Sequence, residues 1–154
     1  MSENTLFFIK PGNFKNVVEI IECLEKSLGS NFRRGNLMHI YHPRRRVVEE
    51  HYKEFRGERF FEPMVRAFTN GDIILTSYYG KDIVRRIRKI VGATDPQRAE
   101  SGTIRSIFSK ESLEECLREN RYCNNVVHSS ATIKEAKKEF AIWDEYLNSF
   151  FKNS

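Results

Sequence analysis

The sequence predicts a single α/β domain in which short buried strands alternate with amphipathic helices. Its 154 residues fit the usual size of one domain. Apolar residues make up 40% of the chain and charged residues 31%, which is typical of a globular protein with a real core. Short apolar runs that end at proline or glycine are separated by segments with helical spacing. We therefore expect the order βαβααβα, a long loop, and βα, with a further short helix between the loop and the last strand.

The first half of the chain predicts two strands and three helices. The run TLFFIK is apolar and rich in aromatic residues, and Pro11 and Gly12 end it, which is typical of a buried strand. From Asn16 the apolar residues follow a helical period, and Gly29 comes after it as a stop signal. Pro43 closes the second strand, LMHIY. The predicted strands are 5–10 and 37–41, and the predicted helices are 16–28, 45–55 and 60–69.

The second half predicts two more strands and three more helices. Residues 73–79 are mainly β-branched and aromatic, and Gly80 follows them, which indicates a strand. The next helix carries its apolar residues on one face and basic residues on another. A surface tail is expected after Tyr146. The predicted strands are 73–79 and 125–127, and the predicted helices are 83–91, 109–120 and 133–146.

Residues 92–109 are the segment with the strongest indication of a functional loop. They contain two glycines and a proline and show no clear period. A structureless segment of this length is uncommon in a compact domain unless it serves binding or catalysis. We therefore expect functional residues there.

Composition excludes several classes of protein. No apolar run approaches the ~20 residues that span a bilayer, and the N-terminus lacks the features of a signal peptide, so we expect no membrane contact and a cytoplasmic location. The three cysteines form no C-x-x-C pair, so neither a disulfide framework nor a metal site is predicted. The net charge of +5 indicates an anionic ligand, either a polymer or a small phosphate compound.

His128 lies where the last predicted strand gives way to the last helix, in the stretch NNVVHSS. Ser129 or Ser130 is placed to cap that helix, and a helix N-terminus favours anions. Glu139 falls beside the apolar stripe of the helix, so its carboxylate can turn back toward the histidine. The pattern fits a catalytic histidine, although a histidine at a strand end is more often a hydrogen-bonded turn residue.

Candidate phosphate ligands are scattered along the chain. They are Lys10 at the end of the first strand, Arg88 on the basic helix, and Thr94 and Arg105 in the long loop. Gly102 lets the backbone near Arg105 approach a ligand closely. Each of these residues taken alone is more typical of a solvated surface. Neither a Walker A motif nor a G-x-G-x-x-G motif occurs, so nucleotide sites of those two types are excluded.

Several stretches together resemble the nucleoside diphosphate kinase family in their order and mostly in their spacing. They are LFFIKPG, EHY, RFF, GATDP followed by SGTIR, and NVVHSS before a helix that carries Glu139. The resemblance covers residues 4–146. Its most specific parts are the strand-end lysine-proline, the T-x-P…G-T-I-R loop and the N-x-x-H-x-S motif.

The resemblance implies a phosphotransfer site built around His128. His128 would take the γ-phosphate of a nucleoside triphosphate and pass it to a diphosphate through a phosphohistidine intermediate, in ping-pong fashion. Glu139 would orient the imidazole, with Ser130 assisting. The other implied roles are phosphate binding by Lys10, Arg88, Thr94 and Arg105, positioning of Lys10 and the phosphoryl group by Tyr52, sugar binding by Asn125 with Lys10, and base stacking by Phe60.

The same resemblance implies a fold, a cofactor and an assembly. The fold is an α/β sandwich (α+β) of ferredoxin-like βαββαβ topology, with helices packed on a four-stranded antiparallel sheet. The predicted element order agrees with this fold. Mg²⁺ would accompany the nucleotide. The partners would be nucleoside di- and triphosphates and further copies of the chain, in a tetramer or hexamer.

Two features depart from the family pattern within the single domain expected for residues 1–154. Ser129 and Ala131 stand where the family usually has glycine and aspartate, which bears on the loop shape and on an acidic partner for Arg105. An insertion around residues 107–123 falls in the segment that normally supplies the second wall of the base slot. Tyr122 is the candidate replacement for that wall.

Two other functions remain open from the sequence. A catalytically impaired family member would act as a nucleotide-binding or scaffolding protein. The changed residues around His128 favour that alternative, whereas the presence of every residue that the chemistry needs opposes it. A nucleic-acid-binding module shares this sheet topology and a basic charge, but SYYGKD is a poor match to the aromatic strand of an RNA-recognition domain. Nucleic acid is therefore not an expected partner.

Overall fold

A computed structural model describes residues 1–152 and gives five strands and seven α-helices within that range. The strands are β1 (Ser2–Ile9), β2 (Phe32–Arg34), β3 (Met38–Tyr41), β4 (Asp72–Lys81) and β5 (Val127–Ser129). The helices are α1 (Val17–Leu28), α2 (Arg45–His51), α3 (Phe61–Thr69), α4 (Ile83–Val91), α5 (Ile104–Phe108), α6 (Leu113–Arg118) and α7 (Ile133–Phe151). None of these helices combines the length and the apolar character that crossing a membrane requires.

The five strands form one antiparallel sheet with β1 and β4 at its centre. β1 pairs with β4 along its whole length. β5 pairs with the other edge of β1, where Phe8 lies opposite His128. β2 and β3 pair with successive parts of the remaining edge of β4, at residues 78–80 and 72–75. The lateral order is therefore β2 with β3, then β4, β1 and β5.

The ferredoxin-like topology is confirmed, with five strands in place of the predicted four. The difference arises because the edge strand is divided into β2 and β3, and the sequence analysis predicted only the second part. Between them the N–H of Gly35 donates to the carbonyl of Ser77 at 2.8 Å. A Cβ on Gly35 would lie 2.5 Å from Ser77 Oγ, so a larger residue there would require the Ser77 hydroxyl to move. β2 is short and largely exposed, which leaves no alternating pattern to predict it from.

The sheet is covered on both faces because the side chains of β1 alternate between two apolar cores. Phe7 and Ile9 pack with residues of α1, α4 and α5. Leu6 and Phe8 pack with residues of α2, α3 and α7. Burial on both faces explains why the predicted first strand is an unbroken apolar run rather than an alternating one.

The prediction of a surface tail after Tyr146 is wrong, because α7 runs on to Phe151. Tyr146 and Leu147 pack against the core formed with α2 and α3. The hydroxyl of Tyr146 also accepts a hydrogen bond from the backbone N–H of Arg44 at 3.1 Å. Contacts with a distant part of the chain therefore extend this helix beyond its regular apolar stripe.

The predicted loop at 92–109 contains regular structure that the sequence analysis did not find. A 3₁₀ turn covers Pro96–Arg98, and α5 occupies Ile104–Phe108. The Thr103 side chain caps α5 by accepting the N–H of Ser106. A five-residue helix is too short to produce a recognisable helical period.

Candidate active site

A cavity of about 470 Å³ gathers the predicted site residues where β1 ends. Nine of the ten predicted residues line it, and only Ser130 does not. Ser130 instead supports the cavity from behind, through a hydrogen bond to Glu139. The nine lining residues are Lys10, Tyr52, Phe60, Arg88, Thr94, Arg105, Asn125, His128 and Glu139.

A strained turn just before β5 places Asn125 and His128 along the same cavity. The N–H of Val127 donates to the carbonyl of Asn125 at 2.9 Å, which closes a three-residue γ-turn around Val126. Val126 has a φ of 74°, a left-handed conformation that costs a β-branched residue on the order of 1–3 kcal/mol. The carbonyl of Val126 accepts the N–H of Lys10 at 2.8 Å, so the turn is tied to the end of β1.

One ring nitrogen of His128 is engaged by a carboxylate and the other has no partner within residues 1–152. Nε2 lies 2.9 Å from Oε2 of Glu139. The same oxygen accepts the hydroxyl of Ser130 at 2.6 Å, and Thr5 donates to Ser130 at 3.2 Å. A carboxylate at Nε2 favours the tautomer with the proton on that nitrogen. The lone pair of Nδ1 is therefore available to the cavity.

The ring of His128 is held between other aromatic rings. Phe8 stacks on it at 4.6 Å with an angle of 23°, and His51 meets it at 4.5 Å with an angle of 81°. Burial lowers the pKa of His128 well below its usual value, and the nearby charges of Lys10, Arg105 and Arg88 lower it further. His128 is therefore neutral near pH 7, as a nitrogen nucleophile must be.

Lys10 lies in the cavity as a buried amine. Its Nζ donates to Oδ1 of Asn125 at 2.6 Å. Burial is the main cause that lowers the pKa of Lys10 to about 7, with Arg105 and Arg88 contributing in the same direction. Lys10 is thus only partly charged at neutral pH until an anion arrives.

Arg105 is held by backbone carbonyls. Its Nε, Nη1 and Nη2 donate to the carbonyls of Asn125, Gly92 and Val127 at 3.0, 3.1 and 2.8 Å. Within residues 1–152 no carboxylate pairs with Arg105, which agrees with the absence of an acid at Ala131. Burial lowers the pKa of Arg105 to about 10, and Arg88 adds to that effect. Arg105 therefore brings to the cavity a positive charge that no acidic side chain of the described residues neutralises.

The remaining predicted residues line the cavity with polar and aromatic groups. The hydroxyl of Tyr52 is buried and has no hydrogen-bond partner in the described part of the chain, and Lys10 Nζ lies 5.9 Å from the centre of its ring. Nδ2 of Asn125 donates to the carbonyl of Thr94 at 3.0 Å. Phe60 packs on Phe55, with ring centres 5.3 Å apart. An unpartnered buried hydroxyl costs free energy, which a ligand oxygen would recover.

Helix α6 forms part of the cavity wall, which the sequence analysis did not predict. Leu113, Cys116 and Leu117 line the cavity from this helix. Their spacing at i, i+3 and i+4 is the same for a helix that faces a core and for one that faces a ligand cavity. Tyr122, the predicted wall residue, also lines the cavity, and its ring meets Phe68 edge to face at 6.5 Å. His51 also lines the cavity, and the sequence analysis did not single it out.

Comparison with known proteins agrees with this arrangement. Residues 3–146 match the family model described as nucleoside diphosphate kinase. The chain is 31% identical to "Nucleoside diphosphate kinase" of Streptococcus pneumoniae (strain Hungary19A-6), over 92% of this chain and 98% of the relative. It is 32% identical to "Nucleoside diphosphate kinase 2, chloroplastic" of Nicotiana tabacum over 92% of this chain, but spans only 56% of that relative.

Solved structures give the same answer. The crystal structure of nucleoside diphosphate kinase from Encephalitozoon cuniculi matches with a TM-score of 0.77 and 30% identity. The match covers 92% of this chain and 88% of the other. Together with the family match over residues 3–146, these likenesses place the chain in the nucleoside diphosphate kinase family.

Proposed function

We propose that this chain transfers the γ-phosphate of a nucleoside triphosphate to a nucleoside diphosphate through phosphohistidine formed at Nδ1 of His128. The observation that carries this proposal is the free Nδ1 of a neutral, partly buried histidine whose Nε2 lies 2.9 Å from Glu139. Lys10, Arg88 and Arg105 line the same cavity. A nucleophile beside several cations is what transfer of a phosphoryl group requires.

The reaction proceeds in two half-reactions of the same kind. The lone pair of Nδ1 forms a bond to the γ-phosphorus, and the bond from that phosphorus to the oxygen bridging to the β-phosphate breaks. The diphosphate leaves with that electron pair, and His128 keeps the phosphoryl group. A terminal oxygen of a second diphosphate then attacks the phosphorus, the N–P bond breaks, and the free imidazole returns. Glu139 accepts the Nε2–H and compensates the positive charge that develops on the ring.

Positive side chains and neutral donors bind the phosphates in this proposal. Lys10, Arg88 and Arg105 compensate the charge on the transferred group, which is the main requirement of phosphoryl transfer. Thr94 adds a hydroxyl donor. Tyr52 contributes the buried hydroxyl that has no partner among the described residues. Lys10 and Asn125, which are joined by a hydrogen bond of 2.6 Å, bind the sugar hydroxyls.

Mg²⁺ enters this site as part of the nucleotide substrate. The carboxylates that line the cavity already have partners: Glu139 bonds His128 and Ser130, Glu54 bonds Lys138, and Glu135 accepts the N–H of Ala131. Mg²⁺ favours phosphate oxygens and water over an all-protein cage. The side chains present fit a metal that is held by the phosphates and neutralises their charge.

The base lies against Phe60 in this proposal, with α6 as the second wall. The apolar side chains of Leu113 and Leu117 line the cavity, as Phe60 does. Stacking and apolar contact do not distinguish one base from another, because every base presents a flat face. We therefore infer that the enzyme accepts several bases, and that the segment 107–123 forms the slot in this chain.

We also infer that the chain assembles into a homo-oligomer, a tetramer or hexamer, and acts in the cytoplasm. The outer edge of β3 has no neighbouring strand within residues 1–152, and the exposed Phe14, Leu37 and Tyr41 are large apolar residues. An unpaired edge beside apolar residues favours association. The three cysteines are free thiols, which fits a reducing compartment.

Phosphohistidine formation tests the proposal. The purified protein is incubated with γ-labelled ATP and magnesium, quenched in base, and then chased with GDP. We expect label on the protein that moves to GDP, and no label on His128→Ala. The matched control is His39→Ala, which removes an exposed histidine on β3 and should label normally.

A wild-type protein that binds nucleotide and takes up no label would reject the kinase and support the catalytically impaired alternative. Label that remains on His128→Ala would place the phosphoryl group on another residue and reject the assignment of the nucleophile.

A further inference from the structure

His51 is a buried histidine beside His128 that the proposed reaction does not use. It is the last residue of α2, and its side chain lines the cavity. Its ring lies 4.5 Å from that of His128 and 5.1 Å from that of Phe8. Burying an imidazole in an apolar core is costly unless its polar atoms are engaged.

Trp143 determines which nitrogen of His51 carries the proton. The indole Nε1–H of this fully buried residue on α7 donates to Nδ1 of His51 at 3.1 Å. An indole N–H can only donate, so Nδ1 must accept. Burial is the main cause that lowers the pKa of His51 well below its usual value. His51 is therefore the neutral Nε2–H tautomer.

The Nε2–H of His51 and one oxygen of Glu139 both lack a partner within residues 1–152. His128 and Ser130 both bond Oε2 of Glu139, and no group in the described part of the chain bonds its Oε1. A nitrogen of His51, a nitrogen of His128 and a carboxylate oxygen of Glu139 lie within 4.8 Å of one another. Because Trp143 occupies Nδ1 of His51, Nε2 is the nitrogen that remains free for this group.

We propose that His51, held by Trp143, is a positioning residue of phosphotransfer that directs its Nε2–H toward the Glu139 carboxylate. This donor keeps the carboxylate turned toward His128, and the carboxylate in turn keeps the proton of His128 on Nε2. The inference rests on the proposed function, since it concerns the orientation of the same nucleophile.

A metal ion bound by His51, His128 and Glu139 is a poorer explanation of the same geometry. A histidine that binds metal through Nε2 carries its proton on Nδ1, where the indole N–H of Trp143 would oppose it. Lys10 also faces both histidines and disfavours a further cation. The arrangement instead fits a neutral hydrogen-bond donor beside an ionised acceptor.

Two substitutions at His51 test the roles of its two ring nitrogens separately. The amide nitrogen of glutamine reaches the position of Nε2, whereas the amide of asparagine reaches only that of Nδ1. His51→Gln therefore keeps a donor for Glu139 and loses the acceptor for Trp143, and His51→Asn does the reverse. We expect His51→Asn to lower the rate of His128 phosphorylation by about tenfold or more, and His51→Gln to stay closer to the wild type. The melting temperatures should follow the opposite order, since only His51→Asn satisfies the buried indole N–H.

A spectroscopic measurement supports the kinetic one. The ¹⁵N chemical shifts of His128 report which ring nitrogen is protonated. We expect wild type and His51→Gln to hold the Nε2–H form, and His51→Asn and Trp143→Phe to show a mixture of tautomers. Equal phosphorylation rates for the two His51 variants, or an unchanged His128 tautomer in His51→Asn, would overturn the inference. A wild-type protein without any phosphohistidine would instead contradict the proposed function, so the two failures are distinguishable.

Discussion

At the scale of single residues, the most informative side chain is Lys10. It is a nearly buried amine that faces two guanidinium groups, and its only hydrogen-bond partner among residues 1–152 is the neutral amide of Asn125. Burial and the two guanidinium groups therefore disfavour the protonated form of Lys10 until an anion is bound. This is an arrangement that costs the free protein stability and favours the complex with a phosphate.

Nucleotide binding should be coupled to the uptake of a proton by Lys10. In the free protein its pKa is lowered to about 7, and bound phosphates raise it, so at pH 8 the amine becomes protonated as the nucleotide binds. The affinity for ADP should then fall as pH rises above 7, by up to about tenfold per unit.

Calorimetry at pH 8 in two buffers with different ionisation enthalpies measures this uptake directly. Lys10→Met should bind ADP more weakly and without the proton. An uptake that persists unchanged in Lys10→Met would assign the proton to another group.

At the scale of secondary-structure elements, α6 is the distinctive part of the site. It begins at the cap formed by Ser112 and is tied to the neighbouring loop through Asp95, which accepts the N–H of Leu113 at 3.2 Å. Cys116 is buried, whereas Leu117 is 36% exposed and lines the cavity. One side of this short helix therefore stabilises the fold, and a neighbouring side is available to a ligand.

Replacing Leu117 should weaken nucleotide binding and leave the chemistry intact. Leu117→Ser removes apolar contact with the base, and about 1 kcal/mol of lost contact corresponds to a KM raised about fivefold. The value of kcat should change little, because Leu117 is not among the groups that bond His128 or Glu139.

The matched control is Val18→Ser, which changes another exposed apolar residue that does not line the cavity. Steady-state kinetics with ADP and GDP give both constants. A fall in kcat with unchanged KM for Leu117→Ser would contradict the role of α6 as a wall of the base slot.

At the scale of the whole molecule, the site is built at the expense of stability. Two neutral histidines, a buried lysine and a strained γ-turn lie together where β1 ends and β5 begins. These groups lower the free energy of unfolding. The two apolar cores that cover both faces of β1 compensate for that loss.

Lys10→Met should make the free protein more stable near pH 7.5 while removing activity. The folded pKa of Lys10, about 7, is lower than its unfolded value of 10.5, so between these values the unfolded state binds more protons. The free energy of unfolding contributed by Lys10 therefore rises with pH in that window, by at most about 1.4 kcal/mol per unit.

Urea unfolding at pH 7.5 and 9.5 tests this in wild type and variant. Burial raises the pKa of Cys116, Cys123 and Tyr52, which acts in the opposite direction in both proteins. The difference between the two proteins isolates Lys10. A stability gap that does not shrink as pH rises would contradict the buried-amine account.

The sequence by itself determined the order of the main elements and most of the candidate site. The apolar runs, glycine stops and helical periods predicted β1, α1, β3, β4, α4 and α7 with errors mainly at their ends. The resemblance of the stretches around Lys10, Arg105 and His128 to the nucleoside diphosphate kinase family suggested a phosphotransfer site. These signals are local. A buried strand, a helical period and a short motif can each be recognised from residues that are close together in the sequence.

Only the tertiary structure decided how the remaining groups meet. β2 depends on pairing with β4, and the end of α7 depends on a contact between Tyr146 and Arg44. Arg105 takes backbone carbonyls as partners in place of an acid. The tautomer of His51 follows from Trp143, which is 92 residues away in the chain. Such contacts join segments far apart in sequence, and their geometry arises from packing rather than from any local pattern.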